Sequence, residues 1–289
     1  MTNQTSGQRA VAITGAGTGL GRELALELAA SHRVFGTALT ADEAAEVNAA
    51  SHGGVVLTVC DITNEASVAR WVNQVTRSLG EAGLDVLVSN AAVVTPGPLE
   101  LLALDRVRHE FEVNVFGAMS VVNAFLPALR QARGRIIQIG STSARFPLPF
   151  LGMLGASKAA MDTIADAYRM ELKQFGVEVV VAVPGSMRTG SQERVAADLL
   201  HLAASLTEEQ RALYGKSFGR FVDGVKSMEA GGITAADATS EVMDLMERIP
   251  APGRAPVGDE AREIARLVQQ APESELEGMR MRLVGMVVD

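Results

Sequence analysis

Six short apolar runs, separated by stretches with helical periodicity, constrain this chain more than any other feature. They are RAVAITG at 9–15, RVFGTA at 33–38, VVLTVC at 55–60, DVLVSN at 85–90, RIIQIG at 135–140 and VEVVVAVPG at 177–185. Runs this continuously apolar do not alternate between a wet and a dry face, so each predicts a strand buried on both sides. Alternating with helices, such strands predict a doubly wound α/β fold, one parallel sheet covered on both faces.

The intervals supply the covering helices. They are predicted over 21–30, 65–79 and 105–129, the last carrying Val107, Phe111, Val115, Met119, Val122 and Leu126 at three- and four-residue steps. Asn114 and Gly117 are poor helix formers in its interior. Beyond Pro184 come helical stretches at 191–206 and 235–249 separated by Gly-containing segments, then a Pro/Gly break, PAPGRAPVG, at 250–258. A charged helix at 259–270 and a short terminal helix close the chain. The expected organisation is a single domain over 1–289, with a core at 9–190 and a C-terminal helical, substrate-side extension at 190–289.

Composition narrows the function classes. Hydrophobic residues make up 47% and charged residues 21% of the 289, close to the ordinary globular mix of about 45–50% and about 25%. A net charge of −8, with no block of Lys and Arg, excludes a phosphate-tracking surface and with it nucleic-acid partners. The single cysteine, Cys60, has no internal disulfide partner and reads as a buried strand residue. The N-terminal MTNQTSGQRA has no apolar signal core, and no apolar run reaches the roughly 18 to 20 residues that span a bilayer. A cytoplasmic protein with no membrane segment is expected.

The first strand-to-helix junction, AITGAGTGLGRELA, spaces Thr14, Gly15, Gly19 and Gly21 as T-G-x-x-x-G-x-G. Glycines there permit a tight turn and let backbone approach a pyrophosphate, which then meets the positive end of the next helix. A lone Gly-rich loop is also compatible with an ordinary turn. Following a strand and opening a helix, this one points to a nucleotide.

From residue 9 to about 190 the chain resembles the short-chain dehydrogenase/reductase family, whose fold is Rossmann-type. The glycine pattern, including Leu20, is similar to that family's cofactor loop, and CDIT places Asp61 where the family's acidic residue contacts the adenine. SNAA at 89–92 is similar to its N-N-A-G stretch, with Asn90 matching and Ala92 departing. Asn114 matches the helix asparagine that helps hold a proton-relay water, QIGSTSA supplies Ser141, ASKAA supplies Lys158, and VPGSMRT resembles the stretch, Pro184, Gly185 and Thr189, that bounds the nicotinamide. The segment around FLGMLGASKAAMD resembles the retinol and hydroxysteroid dehydrogenase branch, which implies a bulky apolar substrate.

That resemblance implies an NAD(P)-dependent oxidoreductase in which serine steadies the carbonyl oxygen, lysine binds the nicotinamide ribose, and tyrosine exchanges the proton. The tyrosine belongs at position 154, and Leu154 stands there. Loss of a general acid typically costs about 10² to 10⁴ in rate. The penalty shrinks for a quinone, enone or polycyclic substrate that delocalises negative charge. Two other readings stay open: a non-redox isomerase, dehydratase or cyclase using the same pocket, and a non-catalytic binding or assembly partner.

Tyr168, in step with Ile164 and Leu172, reads as a packed residue, and Tyr214 lies in the substrate region without defined geometry. His32, His52, His109 and His201 lack ligand spacing, so no metal is expected. The cofactor is NAD or NADP. Thr18, Leu39 and Thr40 offer no cation to a 2′-phosphate, which favours NAD. By analogy with the family, helices at 105–129 and 157–174 would form a homodimer or homotetramer.

Overall fold

The computed structural model describes residues 7–188 and 192–286. Its elements follow one another as β1 (Ala10–Ile13), α1 (Gly19–Leu28), β2 (Arg33–Ala38), α2 (Ala41–Ala50), β3 (Val55–Val59), α3 (Glu65–Leu79) and β4 (Val86–Ser89). Next come α4 (Leu104–Phe111), a π-helical segment (Glu112–Gly117), α5 (Ala118–Ala132), β5 (Arg135–Ile139), α6 (Gly152–Leu172) and β6 (Glu178–Pro184). The remainder is β7 (Met187–Arg188), α7 (Gln192–Ser205), α8 (Glu208–Gly231), β8 (Ile233–Thr234), α9 (Ala235–Glu247), β9 (Arg254–Val257), α10 (Asp259–Gln270) and α11 (Glu273–Leu283).

Seven strands form one parallel sheet in the order β3-β2-β1-β4-β5-β6-β9. Successive side chains go to opposite faces. Val11, Ile13, Val86, Val88 and Ile137 meet Leu24 and Leu28 of α1 and Val242 and Leu245 of α9. Ala12, Leu87, Ile136 and Val181 meet Trp71 of α3, Phe125 and Leu129 of α5 and Leu172 of α6 on the other face. Trp71 and Phe125 are edge-to-face at 5.0 Å, and truncating so buried a ring typically costs about 3–5 kcal/mol. A third apolar cluster, Phe150, Leu199, Phe218, Phe221 and Val222, ties α7 and α8 to the segment before α6.

Five expectations change. The first helix opens at Gly19, within the glycine loop itself. The 105–129 helix is interrupted by the π segment around Asn114 and Gly117, after which Val121, Val122, Phe125 and Leu129 form the buried face. Together Leu104–Ala132 is long and apolar enough, by length and composition alone, to cross a membrane, contrary to the sequence reading. With 56% of its most apolar stretch buried against the rest of the protein, it has the setting of a core helix. The Gly-containing region between the C-terminal helices is the 24-residue α8, and the break at 250–258 contains β9. Pro256 fits there because β9 is an edge strand.

Candidate active site

Strand order reverses between β1 and β4, so the loops after them diverge and leave a crevice at their C-terminal ends, where open α/β sheets bind ligands. The two loops are stitched together through Thr14 and Asn90. Thr14 Oγ1 accepts from the N–H groups of Asn90 and Ala91 at 2.9 and 3.0 Å. Asn90 Nδ2 donates to the carbonyls of Thr14 and Gly15 at 2.9 and 3.1 Å. Gly15 and Gly19 have φ of +65° and +56°, in the region that favours glycine. A Cβ on Gly21 would lie 2.3 Å from the Gly15 carbonyl oxygen and 2.6 Å from Asn90 Nδ2. Thr18, at the N-cap of α1, makes no side-chain capping bond, whereas Thr40, Asn64 and Thr234 cap α2, α3 and α9. The start of α1 therefore presents backbone N–H groups to the crevice without a competing side chain, while the Leu20 side chain, expected at the cofactor, is buried in the core cluster with Ala16 and Leu24.

Ser141 follows β5 by two residues and Lys158 lies in the second turn of α6. Ser141 Oγ accepts from Ser143 N at 3.1 Å, capping a short 3₁₀ turn and leaving its hydroxyl proton to be given elsewhere. Lys158 Nζ donates to the Ile139 carbonyl at 2.9 Å and so is held against the end of β5. Burial of the ammonium lowers its pKa to about 8, against the opposing pull of Asp162. Leu154 precedes Lys158 by one turn on the same helix.

Asn114, in the π segment, is fully engaged. Its Oδ1 accepts from Val93 N at 2.8 Å, and its Nδ2 donates to the Val93 carbonyl at 2.9 Å and to Ser157 Oγ at 3.0 Å. It joins the crevice loop to the helix that carries Lys158.

The other predicted residues are spread around the same sheet edge. Asp61 stands just beyond β3, its Oδ1 accepting from the Thr63 backbone and hydroxyl at 2.9 and 2.7 Å. Pro184 ends β6, and a Cβ on Gly185 would meet Glu260 Oε2 at 2.6 Å. Thr189 lies outside the described residues. A polar cleft of about 480 Å³ borders Gly185, Ser186, Thr234, Glu241 and Glu260, but neither Leu154 nor Lys158. Tyr168 donates to Asn123 Oδ1 at 2.7 Å between α6 and α5. Tyr214 bonds Glu100, whose carboxylate pushes the phenol pKa up. Cys60 is buried, which raises its thiol pKa. Among the described residues, no group of three His, Cys, Asp or Glu side chains is placed to hold a metal.

Two acidic residues escaped the sequence reading. Glu43 Oε2 accepts from Leu39 N at 3.2 Å and would lie 2.9 Å from a Cβ on Gly17, placing a carboxylate between the glycine loop and the end of β2. Its signal was present as TADE at 40–43, a capping-box pattern in which Thr40 Oγ1 accepts from Glu43 N at 3.2 Å. Glu110, buried on α4, had no such signal.

Residues 9–200 match the short chain dehydrogenase family, and the chain belongs to it. It is 32% identical to retinol dehydrogenase 7 of Rattus norvegicus, the match covering 82% of this chain and 75% of that protein. With 3-ketodihydrosphingosine reductase of Bacteroides thetaiotaomicron it shares 30% identity over 86% of this chain and 87% of that one. A short-chain dehydrogenase from Streptomyces avermitilis superposes with a TM-score of 0.76 at 21% identity, over 99% of this chain and 100% of that one. One from Burkholderia cenocepacia, solved in complex with NADP, gives 0.72 at 24% identity over 98% of both.

Proposed function

We propose that this protein is an NAD-dependent oxidoreductase whose site lacks the tyrosine proton donor and that acts on a bulky apolar or conjugated carbonyl substrate. The observation that carries this reading is the pairing of a complete nucleotide corner with Leu154 one turn before the buried Lys158. The corner fits a dinucleotide: positive-φ glycines, an uncapped α1 start and the position a Cβ on Gly21 would fill. When bound, the nicotinamide supplies or accepts a hydride.

The chain's own residues then do the rest. Backbone N–H groups at the start of α1 bind the pyrophosphate. Glu43 accepts hydrogen bonds from ribose hydroxyls and repels a 2′-phosphate, which favours NAD over NADP. Asp61 faces the adenine end, and Pro184 and Gly185 wall the nicotinamide end. Ser141 gives its hydroxyl proton in a hydrogen bond to the substrate oxygen, and Lys158 holds the ribose as a cation. Leu154 can move no proton, so the reaction favours substrates whose developing charge is delocalised. Leu148, Leu151, Leu202 and Tyr214, packed on the third apolar cluster, supply an apolar wall. The retinol and sphingoid names of the relatives accord with such substrates. In this reading the protein works in the cytoplasm as a homodimer or homotetramer.

Fluorescence titration with NADH and NADPH, followed by NADH-oxidation assays with quinones, enones and simple ketones as hydride acceptors, tests this. Tighter binding of NADH and turnover confined to the conjugated panel are expected. Product formation without net change in the cofactor would instead identify an isomerase, dehydratase or cyclase. Failure to bind either dinucleotide would leave a binding or assembly partner.

A further inference from the structure

Glu110 is fully buried on α4 and contacts two segments of the site. Its Oε2 accepts from Thr95 N at 2.7 Å, in the loop after β4, and its Oε1 lies 3.2 Å from Ser157 Oγ, next to Lys158. Ser157, itself fully buried, has one hydroxyl proton and two candidate acceptors, Glu110 Oε1 and the Leu154 carbonyl at 3.1 Å. Asn114 is settled by its bonds to Val93, so its second N–H points at Ser157 Oγ as a donor.

An ionised Glu110 would be a fully buried charge, costly in a dry interior unless an opposite charge pairs with it. No arginine or lysine lies within ion-pair distance of this carboxyl among the described residues. A protonated Glu110 satisfies every group: its O–H donates to Ser157 Oγ, and the Ser157 O–H donates to the Leu154 carbonyl, which also caps the backbone N–H of Lys158 in the helical ladder.

We propose that Glu110 is a positioning residue held as a neutral carboxylic acid, which directs the Ser157 proton onto the turn of α6 carrying Leu154 and Lys158 and withholds a negative charge from the lysine. Burial raises the carboxyl pKa, and the hydrogen bond from Thr95 and the charge of Lys158 oppose it. Of the charged groups on the elements packed around it, Lys158 is the one that acts on it; the loop at 93–95 brings only backbone and Thr95. Lys158 is faced in turn by Asp162, which pairs with Arg254 on β9.

The sign of the pH dependence follows. A carboxyl with a raised folded pKa stabilises the fold below its unfolded pKa, and that contribution is lost as pH rises through the folded value. Glutamine reproduces the neutral acid: its amide donates to Ser157 and its carbonyl accepts from Thr95. The full-length native protein and Glu110→Gln are melted between about pH 5 and about pH 9. Equal melting temperatures at the acid end are expected, with a gap in favour of the variant that grows to roughly 2 °C or more at the alkaline end. A gap independent of pH, or one that widens in favour of the native protein, overturns the proposal.

Titration of Lys158, read by NMR on carbon-labelled lysine, is expected to agree between the two proteins near neutral pH. A fall of about one unit or more in the variant would show that a carboxylate had been removed and overturns it too. Should the variant not fold, infrared spectra of native protein carrying carbon-labelled glutamate, which separates Glu110 from Asp162, read the same state. An acid carbonyl band at neutral pH supports the proposal and its absence overturns it.

Discussion

At the β1–α1 corner, what a dinucleotide phosphate needs is backbone, fixed by bonds from a second loop: Asn90 holds the Thr14 and Gly15 carbonyls, and α1 starts with no side-chain cap. At the start of α6 the fixing is equally complete, with Lys158 on the Ile139 carbonyl and Ser157 bonded to Asn114, yet Leu154 offers no proton. Both regions are preorganised. They differ in one side chain, and on the function proposed above binding and proton transfer are separable, so that losing the second need not loosen the first.

The largest effect that sharpens this contrast is expected from Leu154→Tyr. Assayed as NADH oxidation with simple ketones, the variant gains about 10² to 10⁴ in rate; no gain would mean that more than one group is missing at α6. Breaking the other side, Gly21→Ala drives a methyl against the Gly15 carbonyl, 2.3 Å away. Dinucleotide affinity falls by about 100-fold or more, equivalent to roughly 3 kcal/mol, as read by fluorescence titration. Next, Glu43→Gln removes the carboxylate beside Gly17 and lowers the preference for NADH over NADPH by about tenfold, measured as a ratio of dissociation constants.

The smallest effect is on stability. Lys158 is buried with its pKa lowered to about 8 from 10.5, so its native environment disfavours the charge. The fold gains stability as pH rises from about 8 through the unfolded value and carries the full penalty below. Lys158→Met removes that penalty and also the charged donor's bond to Ile139, for a net stabilisation of about 1 kcal/mol at neutral pH. Denaturant melts at neutral and alkaline pH check this: the advantage of the variant shrinks as pH rises.

How far these regions could be read from sequence depended on whether their determinants are local. β2, α3 and α10 have the predicted bounds, because their apolar runs and caps are contiguous. β9 escaped because Arg254–Val257 contains Pro256, a residue that argues against a strand except at a sheet edge, and edge position is a property of the whole sheet. Asn114 and Gly117 were visible as weak helix formers, while the π turn they occupy depends on bonds from Asn114 to Val93 and Ser157. The glycine loop was legible as a pattern; that Asn90 braces it was not, since the two are 75 residues apart. Glu110 meets Ser157 across 47 residues, and nothing local marks it.

The central claim, that the nucleotide corner is complete without a proton donor at α6, is tested most directly by titrating the native protein and Leu154→Tyr side by side with NADH. The account predicts saturable binding to both, with dissociation constants within about twofold, as expected of independent sites. Binding by the tyrosine variant alone, or by neither protein, would contradict it.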